Sequence, residues 1–223
     1  GVWDIAFFGG SFIAAMMQGI TLVALVQGIT VANRAYGGGW WDWLTPFSVI
    51  VGFSLVIGYA LLGSTWLVMK TEGNIQIQMR RLAWFSGIGT LSLILLVSIL
   101  TPFQDPVYFE RWFAWPSSIL SIVMPLFVLI CARGIFTGLN DHHDTRPFIY
   151  SLCLFFLCFI GIGVSFFPYM VPPSVSLWDA AAPDSSLKFA LVGTVVLVPL
   201  ILIYTAYAYW VFRGKVDPAE GYH

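Results

Sequence analysis

Residues 187–212 read LKFALVGTVVLVPLILIYTAYAYWVF, and after Lys188 no charged side chain occurs until Arg213. A helix of about 20 mainly apolar residues crosses a hydrocarbon core of about 30 Å. This run is therefore long and apolar enough to be a membrane span. Five earlier runs have the same character, at approximately 3–28, 45–70, 82–101, 116–136 and 147–168. Composition leads to the same reading. The 223 residues are 59% hydrophobic and only 9% charged, whereas soluble domains carry about 25% charged residues. Open strands cannot satisfy their backbone groups in lipid, and the runs lack the alternation of a barrel. The expected fold is all-α: a polytopic membrane helical bundle, one integral membrane domain over 1–223, with 213–223 as a cytoplasmic tail.

Several function classes drop out. A formal net charge of −1 argues against nucleic acid as a partner. Cys131, Cys153 and Cys158 all lie in apolar runs. An odd number of such cysteines makes no disulfide framework, and each reads as small apolar filler. The chain opens Gly-Val-Trp-Asp, without Met, and is apolar within a few residues. This reading expects an N-terminal part to precede Gly1.

Basic residues set the orientation. Lys70, Arg80 and Arg81 follow span two, Arg133 and Arg146 follow span four, and Arg213 and Lys215 lie in the tail. The other three connections hold Arg34, Arg111 and Lys188. Seven against three places the first set, and the C-terminus, in the cytoplasm. The opposite connections are aromatic. GGGWWDWLTPF (37–47) and PFQDPVYFERWFAWP (102–116) suit the headgroup belt where Trp and Tyr collect. The third, FPYMVPPSVSLWDAAAPDSSLKF (167–189), carries four prolines that forbid a continuous helix. It is expected to form a rigid outer cap, with Trp178 anchored at the interface and Asp179 fixing the approach to the last span. Asp184 or Ser185 is expected to cap that span.

Ionisable groups at mid-depth usually mark function in a membrane protein, and none lies near the middle of any span. Gln18 is the most polar residue at that depth. Gly10, Ala14 and Gln18 share one face, and Ser11, Ala15 and Gly19 form the adjacent strip. Small residues so spaced let another helix approach closely. Packing is one reading of Gln18, and a polar lining for a quinone head group or a water is the other. Haem needs His, Met or Cys inside a span. The histidines stand at 142, 143 and 223, outside the spans, and a lone Met in an apolar helix is ordinary filler. NDHHDTRPF (140–148) reads as a hydrated turn before a helix starting near Pro147, rather than as a metal site.

GYALLGSTWLVMKTEG (58–73) is the most distinctive segment. Gly58 and Gly63 narrow the helix, and Trp66 lies near its inner end. Lys70 suits the negative end of the helix dipole. Glu72 can pair with Lys70, Arg80 or Arg81, and Gly73 can close the helix in a left-handed conformation. Pro125 and Pro199 are expected to bend spans four and six.

GYALLGSTWLVMKTEG, WDAAAPDSSLKF (178–189) and LVGTVVLVPLILIYTAYAYWVFRGKV (191–216) together resemble subunit II of the cytochrome bd-type quinol oxidases. WDIAFFGGSFIAAMMQG (3–19), WDWLTPF (41–47) and the final GYH are similar to the cyanide-insensitive branch of that family. The resemblance runs from Trp3 to His223. It implies eight helices in two four-helix bundles, six of them visible here. It implies a heterodimer with a haem-bearing subunit I, where quinol is oxidised and dioxygen reduced to water. All haems would belong to that partner and no cofactor to this chain. A quinone or lipid in the bundle, and a small single-span subunit beside it, are compatible with the resemblance. On the residues alone, a secondary transporter or a structural membrane scaffold stays open.

Overall fold

A computed structural model describes residues 1–28, 31–32, 35–104, 106–115, 118–172 and 175–215. Arg34, Pro173 and the final GYH of the sequence reading lie outside the described residues, and Arg111 is described in its backbone only. Six helices among these residues are long and apolar enough to cross a membrane. They are α1 (Val2–Val26), α2 (Pro46–Lys70), α3 (Gly73–Leu100), α5 (Ser118–Asn140), α6 (Arg146–Phe166) and α8 (Asp184–Val211). Two shorter helices, α4 (Pro106–Phe113) and α7 (Leu177–Ala180), lie in the aromatic connections. So do two small antiparallel pairs, β1–β2 (Val31–Ala32 with Ala35–Tyr36) and β3–β4 (Tyr169–Val171 with Val175–Ser176). The chain is an all-α polytopic membrane bundle.

Helices α2, α3, α5 and α6 form its centre. Consecutive antiparallel helices pair, α2 on α3 and α5 on α6, and the two pairs meet through α2–α6 and α3–α5. Leu61, Ala83, Cys131, Ile135, Leu139 and Leu154 make one buried cluster where the four come together. Between them lie buried hydroxyls, which apolar packing alone would not tolerate. Thr65, Ser86 and Ser151 each spend theirs on a carbonyl one turn back, at 2.7–2.8 Å. This local satisfaction lets small polar residues sit in a helix–helix seam without a partner across it.

α1 lies against α2 only on one strip. Ala15, Gly19, Ile20 and Val23 are buried, whereas Gly10, Ala14 and Gln18 are exposed. At the crossing a Cβ on Gly19 would fall 2.8 Å from the Gly52 Cα and the Val51 carbonyl oxygen, so the two backbones touch. Both strips of the sequence have small residues at helical spacing, and the Ser11–Ala15–Gly19 strip is the one used. Gly58 makes room for the Phe155 ring, which a Cβ there would meet at 2.8 Å, while Gly63 faces open space.

Four boundaries differ from expectation. α3 begins at Gly73 rather than near 82. Gln, Met and Arg in GNIQIQMRR favour helix but depress hydropathy, so a hydropathy reading misses these turns. At 28 residues the helix is longer than a hydrocarbon core of about 30 Å requires. α5 runs on to Asn140, which places Arg133 inside it. α8 starts at Asp184 after Pro183 and has no side-chain cap. Pro183 is extended, and Asp184 instead puts a carboxylate in the first turn, where the helix dipole favours it. Gly73 does take φ +64, but at the start of α3. Thr71 and Glu72 are extended, and the glycine turns this short link into the next helix. α5 and α8 continue through Pro125 and Pro199.

α8 stands apart. None of its residues is buried, and its ties to the bundle lie at the end that carries Arg213 and Lys215.

Candidate functional site

The basic end of the bundle carries a polar clasp. It starts from Asp144, in the five-residue connection between α5 and α6. One carboxylate oxygen accepts from Arg80 Nη2 at 2.9 Å and from Gln76 Nε2 at 3.0 Å. The other accepts from Lys215 Nζ at 2.7 Å. Arg80 also donates to the Leu139 carbonyl at 3.2 Å, and Gln76 to the Val68 carbonyl at 2.9 Å. Lys215 lies 3.5 Å from Glu72 as well. One carboxylate thus joins the early turns of α3, the α5–α6 connection and the chain just beyond α8. The early turns of α3 that hydropathy misses are what bring Gln76 and Arg80 into reach.

Lys70 adds a second tie. Its Nζ donates to the Phe212 carbonyl at 2.6 Å and the Gly214 carbonyl at 3.2 Å. Backbone carbonyls at a helix C-terminus lack intrahelical partners and carry the negative end of its dipole. Lys70 therefore serves the end of α8 rather than the end of its own helix. Trp66 sits beneath it, with the ammonium 5.2 Å from the ring centroid. That ring also meets Phe148 at 5.0 Å and Tyr209 at 5.7 Å, both edge-on. Trp66 is the apolar contact between α2, α6 and α8.

The charges hold one another in their ionised forms. Partial burial alone would push Asp144 up. The hydrogen bond and charge of Lys215, then the charge and hydrogen bond of Arg80, outweigh it and hold the carboxyl below its ordinary range. The hydrogen bond to Asp144 holds Lys215 above the ordinary lysine range against desolvation, with the charges of Asp144 and Glu72 adding to it. A depressed carboxyl contributes stability above its unfolded pKa and loses it as pH falls through the folded value. A raised ammonium contributes below its unfolded pKa and loses it as pH rises through the folded value. The clasp should thus hold from about pH 5 to about pH 9. Proteolysis near Arg213 in a pH series should stay slow and flat across that window. Acceleration inside that window would mean that the Asp144–Lys215 pairing does not hold the end of α8.

The six residues singled out in the sequence separate into three places. Trp66, Lys70 and Glu72 gather in the clasp, though Glu72 faces Lys215 and not Lys70, Arg80 or Arg81. Gln18 sits alone at mid-depth, where its Oε1 accepts from the Tyr59 hydroxyl at 2.9 Å. Tyr59 in turn stacks on Phe155 at 5.9 Å, so this hydrogen bond joins α1 to α2 beside α6. Trp178 and Asp179 lie at the aromatic end. Trp178 packs edge-on against Phe167 at 6.2 Å, and the Leu177 N–H donates to the Pro168 carbonyl at 3.0 Å. Asp179 accepts from the Ser176 hydroxyl, and its own N–H donates back to that oxygen at 3.2 Å. Trp178 and the Leu177 N–H thus fold the connection onto the end of α6, while Asp179 closes a local turn with Ser176. Sequence reading missed Asp144, Gln76 and Lys215, whose partners lie 64 to 71 positions away or across a helix boundary.

The aromatic end has its own polar seam. Gln27, just past α1, donates to Gln104 at 2.9 Å and accepts from the Thr45 hydroxyl at 2.8 Å. Thr45 caps α2 by accepting from the Ser48 N–H at 3.0 Å. Tyr108 of α4 donates to the Val26 carbonyl at 2.8 Å. Asp144 is engaged by Arg80, Gln76 and Lys215, and of the span cysteines Cys131 is buried in the core and Cys153 exposed. Among the described residues no His lies within a span, a donor set that does not fit a haem.

Six long apolar helices with close crossings and charge gathered toward their ends define a multi-pass membrane protein. The chain belongs to the cytochrome bd terminal oxidase subunit II family, whose model matches residues 1–212. It is 25% identical to the cytochrome bd-I ubiquinol oxidase subunit 2 of Escherichia coli (strain K12), over 98% of this chain and 67% of that protein. It is 24% identical to a probable cytochrome oxidase subunit 2 of Haemophilus influenzae, over 97% of this chain and 66% of that one. It is 22% identical to the cytochrome bd ubiquinol oxidase subunit 2 of Bacillus subtilis, over 98% of this chain and 65% of that one. The chain spans about two thirds of the length of each relative.

Proposed function

We propose that this chain is the non-haem subunit II of a bd-type terminal quinol oxidase in a bacterial cytoplasmic membrane, with its basic end and C-terminus in the cytoplasm. It sits beside a haem-bearing subunit I, which oxidises quinol and reduces dioxygen to water. The observation that carries this reading is the family match over residues 1–212. Three further points support it. The histidines at 142, 143 and 223 stand outside the spans, so electron transfer falls to another chain. α8 buries none of its residues, and its apolar sides need lipid or a neighbouring chain. The clasp fixes where α8 stands although that helix is hardly packed, which is what a subunit that presents a helix to a partner requires.

In this role the chain's own residues position helices. Trp66, Lys70, Asp144 and Lys215 set the inner end of α8. The cap built on Trp178 and Asp179 sets its outer approach. The Gln18–Tyr59 bond ties α1 to α2, and the amide N–H groups of Gln18 are left for a quinone carbonyl, a lipid ester or a small single-span subunit.

The test is to purify this chain by a tag from cells expressing its whole gene cluster and to record a visible spectrum. A Soret band should arrive together with a second, histidine-bearing membrane chain, and vanish when that chain is removed. A colourless preparation would overturn the reading, as would a Soret band that stays with this chain alone. A lone chain that moves a solute in vesicles would favour the transporter instead.

A further inference from the structure

At the basic end a groove of about 430 Å³ opens between α3 and the last turns of α5, beside the clasp and sharing Arg80 and Leu139 with it. Arg80 and Arg81 line it, with Ile77, Trp84 and Phe85 on α3 and Leu139 and Asn140 on α5. Arg80 is already spent on Asp144 and the Leu139 carbonyl. Arg81 is not. It is exposed, lies 5.9 Å from the Phe85 ring centroid, and has no carboxylate within ion-pair distance among the described residues. The end as a whole is cationic, with seven basic side chains at or near it against Glu72, Asp141 and Asp144.

Depth decides what can fill the groove. Gly73–Phe103 is 31 helical residues, about 45 Å at 1.5 Å per residue. That exceeds a hydrocarbon core of about 30 Å, so the first turns of α3 stand in the headgroup layer. Arg81 sits there, and Trp84 and Phe85 lie at the boundary below it. Trp84 meets Phe136 of α5 edge-on at 6.0 Å, closing the lower wall. Arg133 is exposed on α5, on the same strip as Phe136 and Asn140 by their i, i+3 and i+7 spacing. The groove thus has a cationic mouth and an apolar wall that continues toward the membrane. A soluble anion would neutralise the mouth and leave Trp84, Phe85 and Ile77 wet. A ligand with an anionic head and an acyl tail covers both.

We propose that this groove binds an anionic phospholipid of the inner leaflet, with its phosphate on the Arg81 guanidinium and an acyl chain along Trp84 and Phe85. A guanidinium meets a phosphate through paired N–H donors, and basic pockets between membrane helices select anionic headgroups in this way. The proposal rests on the membrane-spanning fold and is independent of the oxidase reading.

The experiment uses the full chain purified in detergent with the chains that accompany it. Delipidated protein is titrated with phosphatidylglycerol or phosphatidylcholine, and bound lipid is counted by native mass spectrometry. Phosphatidylglycerol should be preferred about fivefold, Arg81→Gln should abolish most of that preference, and Arg213→Gln should keep it. Equal binding of the two lipids, or a preference untouched in Arg81→Gln, overturns the proposal. So does displacement of phosphatidylglycerol by millimolar inorganic phosphate, which would mark a free-anion site. If Arg81→Gln does not fold, Phe85→Ala takes its place and should weaken phosphatidylglycerol retention. Unchanged retention there also overturns the proposal. A colourless preparation would count against the oxidase reading while leaving this measurement valid.

Discussion

Asp144→Asn is expected to destabilise the chain by about 2 kcal/mol and to free the end of α8. The change keeps the shape and removes the charge that three donors share. Arg80 suffers most. Its side chain is only 13% exposed, so its guanidinium would be left close to buried with the Leu139 carbonyl as its one other acceptor. Breaking a buried pair by removing one partner costs about 3–5 kcal/mol, whereas an exposed pair is worth about 0–1 kcal/mol. Asp144 and Lys215 are about a third exposed, which brings the figure between those limits. Two readouts check it. The thermal midpoint should fall by several degrees, on the order of 2–4 °C per kcal/mol in a chain of this size. Trypsin should cut at Arg213 and Lys215 faster than in the wild type. A double-mutant cycle with Arg80→Gln isolates the pair, since removing both charges should cost less than the sum of the two single changes. Additive effects, with tryptic rates unchanged, would mean that the clasp does not hold α8.

Gly19→Val is expected to separate α1 from α2. The nearest atoms to the new Cβ are backbone, the Gly52 Cα and the Val51 carbonyl at 2.8 Å. Side chains can swing away from such a clash, but a helix axis cannot. α1 must therefore move off α2, and Ile20 and Val23 lose their packing with it. Overpacking costs about 1–3 kcal/mol where side chains give way, and the upper part of that range or beyond is expected here. A cysteine pair bridging α1 and α2 at facing positions other than Gly19 and Gly52 should crosslink readily in the parent and poorly in the variant. Gly63→Val is the control, because a Cβ at Gly63 meets nothing within 4 Å. If both variants behave alike, the close approach at Gly19 is not what joins the helices.

These predictions draw unequally on sequence and fold. The aromatic and basic ends were legible in the residues, because partition between water, headgroup and hydrocarbon acts on each side chain locally. The hinge at 167–189 was legible for the same reason, since its four clustered prolines act against a continuous helix locally, whereas the single Pro125 and Pro199 lie inside α5 and α8. The clasp was not. Glu72 has three cations within ten positions and takes none of them, because Thr71 and Glu72 are extended and aim it toward a lysine 143 positions on. Asp144 looked like a solvated turn residue beside two histidines. Nothing local distinguishes it, since its ligands come from α3 and from beyond α8.

The amino-acid sequence by itself determined six membrane helices, their approximate limits and which ends carry charge, because transfer free energy is summed residue by residue along the chain. Only the tertiary structure decided that the Ala15–Gly19 strip packs rather than the Gly10–Gln18 strip, that Lys70 caps α8, and that Asp144 is the hub. Those outcomes depend on which helix faces which. In a bundle that choice is made by backbone proximity and by pairing charges far apart in the chain, and the order of residues along one helix does not encode it.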